Sequence, residues 1–177
     1  MEIKMNILVP FLTYPRRGFL IRELAKITKI NHTTVRKFVK YYEKENLLVK
    51  KPGKPYALFS ANLDSQKYRN LKLYYNLELL RTSNLITNLE RHYDYPPIIL
   101  FGSFAKGMDD EQSDVDLCII TNIQKEFNTA LYEKIIQRPV SLHRFTKNNW
   151  ARAIKKNKEL VNNIINGITL SGQLEVI

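Results

Sequence analysis

Apolar positions in the first third of the chain recur at helical spacing. Ile3, Ile7, Leu8, Phe11 and Leu12 predict a first helix that ends near Pro15 and Gly18. Leu20, Leu24, Ala25 and Ile27 predict a short second helix over about 20–28, with those residues inward. A tight turn at Lys29-Ile30 follows. Asn31 is then a good N-cap, because its side-chain oxygen can accept from the free N–H groups of a helix's first turn. In the third helix Val35, Phe38, Val39 and Tyr42 fall at i, i+3, i+4 and i+7 and form a buried stripe. The pattern then shortens: Leu47-Leu48-Val49 and Tyr56-Ala57-Leu58-Phe59 are apolar runs flanking Pro52-Gly53, as in a strand hairpin.

From 64 to about 93 the chain has no Gly or Pro and predicts one long helix. Tyr68, Leu71, Leu73, Tyr74, Tyr75, Leu77, Leu79, Leu80, Leu85, Ile86 and Leu89 are too many for one narrow stripe, so this helix needs several apolar partners. The domain before it, the domain after it or a second copy of the chain, as a homodimer, could supply them. His92 reads as a surface residue. Ile98-Ile99-Leu100-Phe101, between Pro96-Pro97 and Gly102, predicts a buried strand. Val115-Asp116-Leu117-Cys118-Ile119-Ile120 predicts another. A third covers 139–145, with Val140 and Leu142 on one face and Ser141 and His143 on the other. Thr146 caps a last amphipathic helix, with Trp150, Ala153, Ile154, Leu160, Val161, Ile164 and Ile165 inward. The pattern therefore predicts an α+β protein in three parts: residues 1–62, a linker or dimerisation helix at 63–95, and a mixed sheet with flanking helices at 96–177.

Charge separates these parts. Residues 1–95 hold 18 Lys/Arg against 8 Asp/Glu, whereas residues 96–177 hold 10 against 9. A basic half beside a near-neutral half is the electrostatic footprint of a nucleic-acid binder. Three helices and a hairpin carrying Lys50, Lys51 and Lys54 resemble the winged helix-turn-helix domain of many prokaryotic transcription regulators. That resemblance implies binding of double-stranded DNA, with Thr33, Thr34, Arg36 and Lys37 toward the major groove and Lys40 on the same helix face. Lys50, Lys51 and Lys54 would meet phosphates. The alternative use of this fold is protein docking, since a fold does not prescribe its function.

Length and composition narrow the remaining classes. At 177 residues there is room for one ordinary domain or two small ones, and 44% hydrophobic content permits a proper core. The single cysteine, Cys118, excludes an internal disulfide framework and a cysteine-based zinc site. The first residues lack a basic segment followed by a long apolar stretch, and no apolar run approaches the ~20 residues of a bilayer span. A cytoplasmic protein with no membrane partner is expected.

The candidate chemistry lies in Leu100-Phe101-Gly102-Ser103-Phe104-Ala105-Lys106-Gly107 followed by Ser113-Asp114-Val115-Asp116-Leu117. A helix opening at Ser103 would direct free N–H groups and a positive end at an anion. Asp114 and Asp116, two apart on a strand, share a face and suit Mg²⁺ bridging to phosphates. A solvated acidic loop, Asp109-Asp110-Glu111, lies between Gly107 and Ser113. No GxxxxGK[ST] run exists, which excludes an ordinary P-loop.

An apolar strand, Gly-Ser, a small and a basic residue, Gly, a short loop and Ser-Asp-x-Asp-Leu resemble the DNA polymerase β-like nucleotidyltransferases in their minimal form. The resemblance covers about 98–146, with a weaker echo to Gly172. It implies a nucleoside triphosphate held by Gly102, Ser103 and Lys106, with Mg²⁺ on the catalytic pair Asp114 and Asp116. Transferring members of the family usually carry a third carboxylate on a following strand. Here that position falls at Ser141, with His143 one step along as a neutral base or metal ligand. Glu133 reads as a solvated helix residue. The vacancy favours a regulatory DNA-binding protein whose nucleotidyltransferase-fold domain binds triphosphate and Mg²⁺. The alternative is an active metal-dependent nucleotidyltransferase modifying a protein or RNA hydroxyl, as an antitoxin component.

Overall fold

A computed structural model describes residues 2–174, with side chains from Met5 onward. The Ile3 side chain and the last three residues of the 96–177 region lie outside the described residues. The chain divides into two compact units, Met1–Lys72 and Leu73–Ile177. The boundary falls inside one helix, Gln66–Ser83.

The first unit comprises α1 (Glu2–Thr13), α2 (Ile21–Thr28), α3 (His32–Lys44) and an antiparallel hairpin of β1 (Leu48–Lys51) with β2 (Leu58–Ala61). Three helices precede the hairpin, the order that the winged-helix resemblance predicts. Asn31 Oδ1 accepts from the N–H groups of Thr33 at 2.8 Å and Thr34 at 3.2 Å, so the cap that the sequence predicts is made. Ile7, Phe11, Phe19, Leu24, Val35 and Val39 are fully buried. Phe19 and Phe59 exchange both backbone hydrogen bonds, at 2.7 and 2.9 Å, which adds a third short segment to the hairpin. Ile27, expected inward, is half exposed. It lies in the last turn of α2, just before Lys29 takes the left-handed conformation and turns the chain toward α3. The start of α4 (Gln66–Ser83) is anchored in this unit, where the Tyr68 hydroxyl donates to the Phe11 carbonyl at 2.8 Å.

In the second unit, α5 (Leu85–His92) leads to β3 (Ile98–Phe101), β4 (Val115–Ile120), α6 (Ala130–Ile136), β5 (Val140–Phe145), α7 (Lys147–Lys156), α8 (Lys158–Ile165) and β6 (Ile168–Ser171). The sheet runs in the order β5-β4-β3-β6. β3 is antiparallel to both neighbours, and β4 is parallel to β5 with α6 as the crossover. Alternation gives the sheet two buried faces. Leu100, Leu117 and Ile119 pack with Leu80, Leu85, Leu89 and Tyr93. Ile99, Phe101, Cys118 and Ile120 pack with Trp150, Val161 and Ile164 on the other side.

Two helices that the pattern predicts as continuous are broken. Asn84 adopts φ 60° between α4 and α5, a conformation Asn tolerates better than most residues. Ser83 supports the break by donating to the Leu80 carbonyl and accepting the Leu85 N–H. The break lets Leu85 and Leu89 enter the sheet core, so this apolar surface is used within the unit. Asn157 divides the last helix and caps α8 by accepting from the Leu160 N–H at 3.2 Å. β6 follows, a strand that the pattern did not predict. His92 is not a plain surface residue: its ring stands edge-on to Tyr93 and Phe127, at 4.6 and 5.2 Å.

The acidic loop is also more built than its composition implies. Asp109 is buried and accepts from Asn76 Nδ2 at 2.6 Å, while the same amide donates to the Phe104 carbonyl at 3.0 Å. Asp110 accepts from the Gln112 N–H and the Ser113 hydroxyl. Asn76→Ala removes a donor from a buried carboxylate, and an unfolding midpoint should report a loss of about 1–3 kcal/mol. Glu111→Ala, on the exposed part of the loop, should stay within about 0.5 kcal/mol of the parent.

Candidate functional site

Gly102 leaves β3 with φ +76°, and a Cβ placed there would lie 2.4 Å from Asp116 Oδ2. Two constraints therefore select glycine at this position. The backbone must turn through the left-handed region, and the Asp116 carboxylate lies against the turn itself. The strand register explains the approach, since Phe101 stands opposite Asp116. Ser103 follows, but the helix expected at that point is only a 3₁₀ turn, Phe104–Lys106, closed by Gly107 at φ 62°. One turn supplies no macrodipole worth invoking. What remains for an anion is the Gly102-Ser103 backbone, the half-buried Ser103 side chain and the exposed Lys106.

On the neighbouring strand Asp116 pairs with Ser141, and Cys118 with His143. Ser141 thus shares the sheet face of Asp116, one strand away. Its hydroxyl donates to Asp114 Oδ2 at 3.1 Å and draws that exposed carboxylate toward β5. His143 Nε2 lies 3.5 Å from Asp116 Oδ1, too far and too poorly aligned for a full hydrogen bond. That nitrogen is buried with no hydrogen-bond partner. Glu133 is not a solvated helix residue. Its carboxylate accepts from the Val140 N–H at 3.1 Å and the Thr129 hydroxyl at 2.9 Å, fastening α6 to the start of β5.

Burial raises the pKa of Asp116 above the ordinary carboxylate value, and the Asp114 charge adds to the rise. His143 opposes it. Burial also pushes the Cys118 thiol up to about 12, which leaves it an inert apolar residue on this face. Among the described residues no three His, Cys, Asp or Glu side chains gather tightly enough to hold an ion unaided. The donors present, two carboxylates and an unpartnered imidazole nitrogen beside a close backbone turn, fit a divalent cation that takes further oxygens from a phosphate ligand.

The basic residues of the first unit form a second constellation. Arg36, Lys40 and Lys50 line an open groove of about 430 Å³ between α3 and the hairpin. Arg22, His32 and Tyr56 line it as well, and the Arg22 guanidinium lies 5.5 Å from the Tyr56 ring centroid. Sequence pattern alone misses these three, because nothing in α2, at the start of α3 or in the Pro-rich hairpin tip signals where their side chains converge. Thr33, Lys37, Lys51 and Lys54 are exposed outside the groove, and Thr34 is half-buried at the capped end of α3.

Residues 83–170 match the family described as Polymerase beta, Nucleotidyltransferase, a match spanning just under half of the chain. It covers the whole carboxylate site, from β3 through β5, and extends into β6. No curated protein matches the chain.

The raised pKa of Asp116 has a sign that can be checked. Below the ordinary carboxylate range folded and unfolded chains both carry the proton, and no penalty exists. The penalty develops as pH rises through the raised folded-state value and is complete above it. Asp116→Asn should therefore be at least as stable as the parent at pH 7 by denaturant midpoint, with the advantage fading as pH falls into the carboxylate range. A clear loss of stability at pH 7 would mean that the carboxylate is a structural group.

Proposed function

We propose that the nucleotidyltransferase-type domain at residues 83–170 binds a nucleoside triphosphate together with a divalent cation, and that the N-terminal unit binds double-stranded DNA. The protein is then a DNA-binding regulator whose nucleotide site has lost efficient transfer. One observation carries this reading: Asp116 lies on the Gly102 turn, while the residue paired with it on β5 is Ser141. Gly102 and Ser103 present backbone and hydroxyl groups to the phosphates, and Lys106 offsets their charge. Asp114 and Asp116 hold the cation, Mg²⁺ by the resemblance to the family. When bound, it would supply positive charge to offset that of the phosphates. Transfer also needs a group to take the acceptor's proton, an aid typically worth about 10²–10⁴ in rate. Ser141 is not a carboxylate, and Glu133 is tied to the β5 backbone.

Support for the DNA half comes from the excess of 18 Lys/Arg over 8 Asp/Glu in residues 1–95 and from three cations of α3 and the hairpin on one groove. Thr33, Thr34, Arg36 and Lys37 would face the major groove, and Lys50, Lys51 and Lys54 the phosphates. A homodimer would present two recognition helices to half-sites about 34 Å apart. The alternative reading, an active nucleotidyltransferase modifying a protein or RNA hydroxyl as an antitoxin component, is favoured by the complete Gly-Ser and Asp-x-Asp set. The two readings diverge on whether the missing acid matters.

Incubation of the full chain with each labelled triphosphate, divalent cation and cell extract should show little transfer. Ser141→Asp should raise transfer by about 10²-fold or more, and adding Asp116→Asn should abolish the gain. Robust transfer by the unmodified protein, insensitive to Ser141, would overturn the regulatory reading and establish the enzyme.

Duplex DNA affinity of the full chain should fall steeply with salt. Replacing Lys50, Lys51 and Lys54 by Ala should weaken binding across sequences and flatten the log–log slope by about 0.9 for each phosphate no longer neutralised. An unchanged slope would remove the hairpin from the DNA interface.

A further inference from the structure

We propose that His143 is a nitrogen ligand of the cation held by Asp114 and Asp116, so that the site takes Mn²⁺ or another transition-metal dication in preference to Mg²⁺. This deepens the cation-site reading above and rests on it.

The first observation is the unpaired nitrogen. His143 Nε2 is buried, makes no hydrogen bond and points to within 3.5 Å of Asp116 Oδ1. Buried polar atoms without a partner are rare in folded proteins, and each calls for an explanation. A cation between the imidazole and the carboxylate would satisfy both. At 3.5 Å the two donors are close enough to share one ion.

The second observation is that the ring is already placed. His143 projects from β5 on the site face, and its imidazole stands edge-on to Phe101 with centroids 5.1 Å apart. Phe101 is the residue that precedes the Gly102 turn, so the strand that carries the turn also braces the proposed ligand. Asp114 is the ligand out of place. It is exposed and accepts from the Ser141 hydroxyl, and three donors are not gathered among the described residues.

The metal class follows from the donors. All-oxygen sites suit Mg²⁺, whereas an imidazole favours first-row transition metals. Replacing a carboxylate by a neutral nitrogen also removes one negative charge from the site. Selectivity therefore turns away from the hard, strongly hydrated ion.

The test uses the full chain with Mn²⁺ and inorganic triphosphate, a ligand that contains no nitrogen. Pulsed electron paramagnetic resonance should show ¹⁴N modulation on the bound Mn²⁺. His143→Asp should lose that modulation while still holding Mn²⁺, and calorimetry should show its preference for Mn²⁺ over Mg²⁺ diminished. His143→Gln, closer in size and uncharged, provides a second variant that should lose the same signal. Mn²⁺ that depends on Asp116 but shows no ¹⁴N modulation, or a modulation that persists in both variants, would overturn the assignment of His143 alone. Failure of the unmodified chain to bind either cation in the presence of triphosphate would overturn this inference together with the site reading beneath it.

Discussion

The close approach of Asp116 to the Gly102 turn is the constraint on which the rest of the candidate site depends. Antiparallel pairing of β3 and β4 sets Phe101 opposite Asp116. The next residue must then turn away under a carboxylate, with no room for a side chain. Glycine is therefore demanded by the aspartate as much as by its own φ of +76°. The serine that follows is thereby placed at the same edge, and the parallel strand β5 brings Ser141 and His143 alongside. The turn and the acid become neighbours because two strands share a register.

The cost of that arrangement is visible in the electrostatics. Asp116 is pushed toward its neutral form by burial and by Asp114. Nothing among its described neighbours supplies a full compensating charge, since Ser141 serves Asp114 and His143 stops at 3.5 Å. A half-buried carboxylate retained under these conditions suits the proposed cation site, completed by a ligand rather than by the fold. The support around it is correspondingly firm. Asn76 ties the buried Asp109 and the Phe104 carbonyl together at the 3₁₀ turn, and Glu133 fastens α6 to β5.

Where local chemistry and tertiary environment agree, the sequence was legible. The Asn31 cap, the Val35-Val39-Tyr42 stripe and the buried strand Ile98–Phe101 each follow from a few adjacent residues, as does the shared face of Ser141 and His143. The breaks at Asn84 and Asn157 were not legible, because neither Gly nor Pro marks them. They depend on the gain from burying Leu85 and Leu89 in one case and Val161 and Ile164 in the other. The 3₁₀ turn after Ser103 reads as the start of a helix until Gly107 closes it at positive φ. Asp109 carries no sign in its sequence neighbourhood that an amide 33 residues earlier will hold it. His92, Glu133 and the groove residues Arg22 and Tyr56 belong to the same class, since their roles are set by partners distant in sequence.

The most direct test is calorimetric titration of the full chain with a nucleoside triphosphate, in Mg²⁺ or Mn²⁺ and in EDTA, beside Gly102→Ala and the Asp114→Asn, Asp116→Asn double variant. If the turn and the acids form one site, binding will be tighter with the cation than in EDTA. The double variant will lose the cation-dependent part, and Gly102→Ala will lose it as well, because its Cβ occupies the space of Asp116 Oδ2. Binding that is equal in EDTA and in the double variant, or cation-dependent binding untouched by Gly102→Ala, would contradict the account.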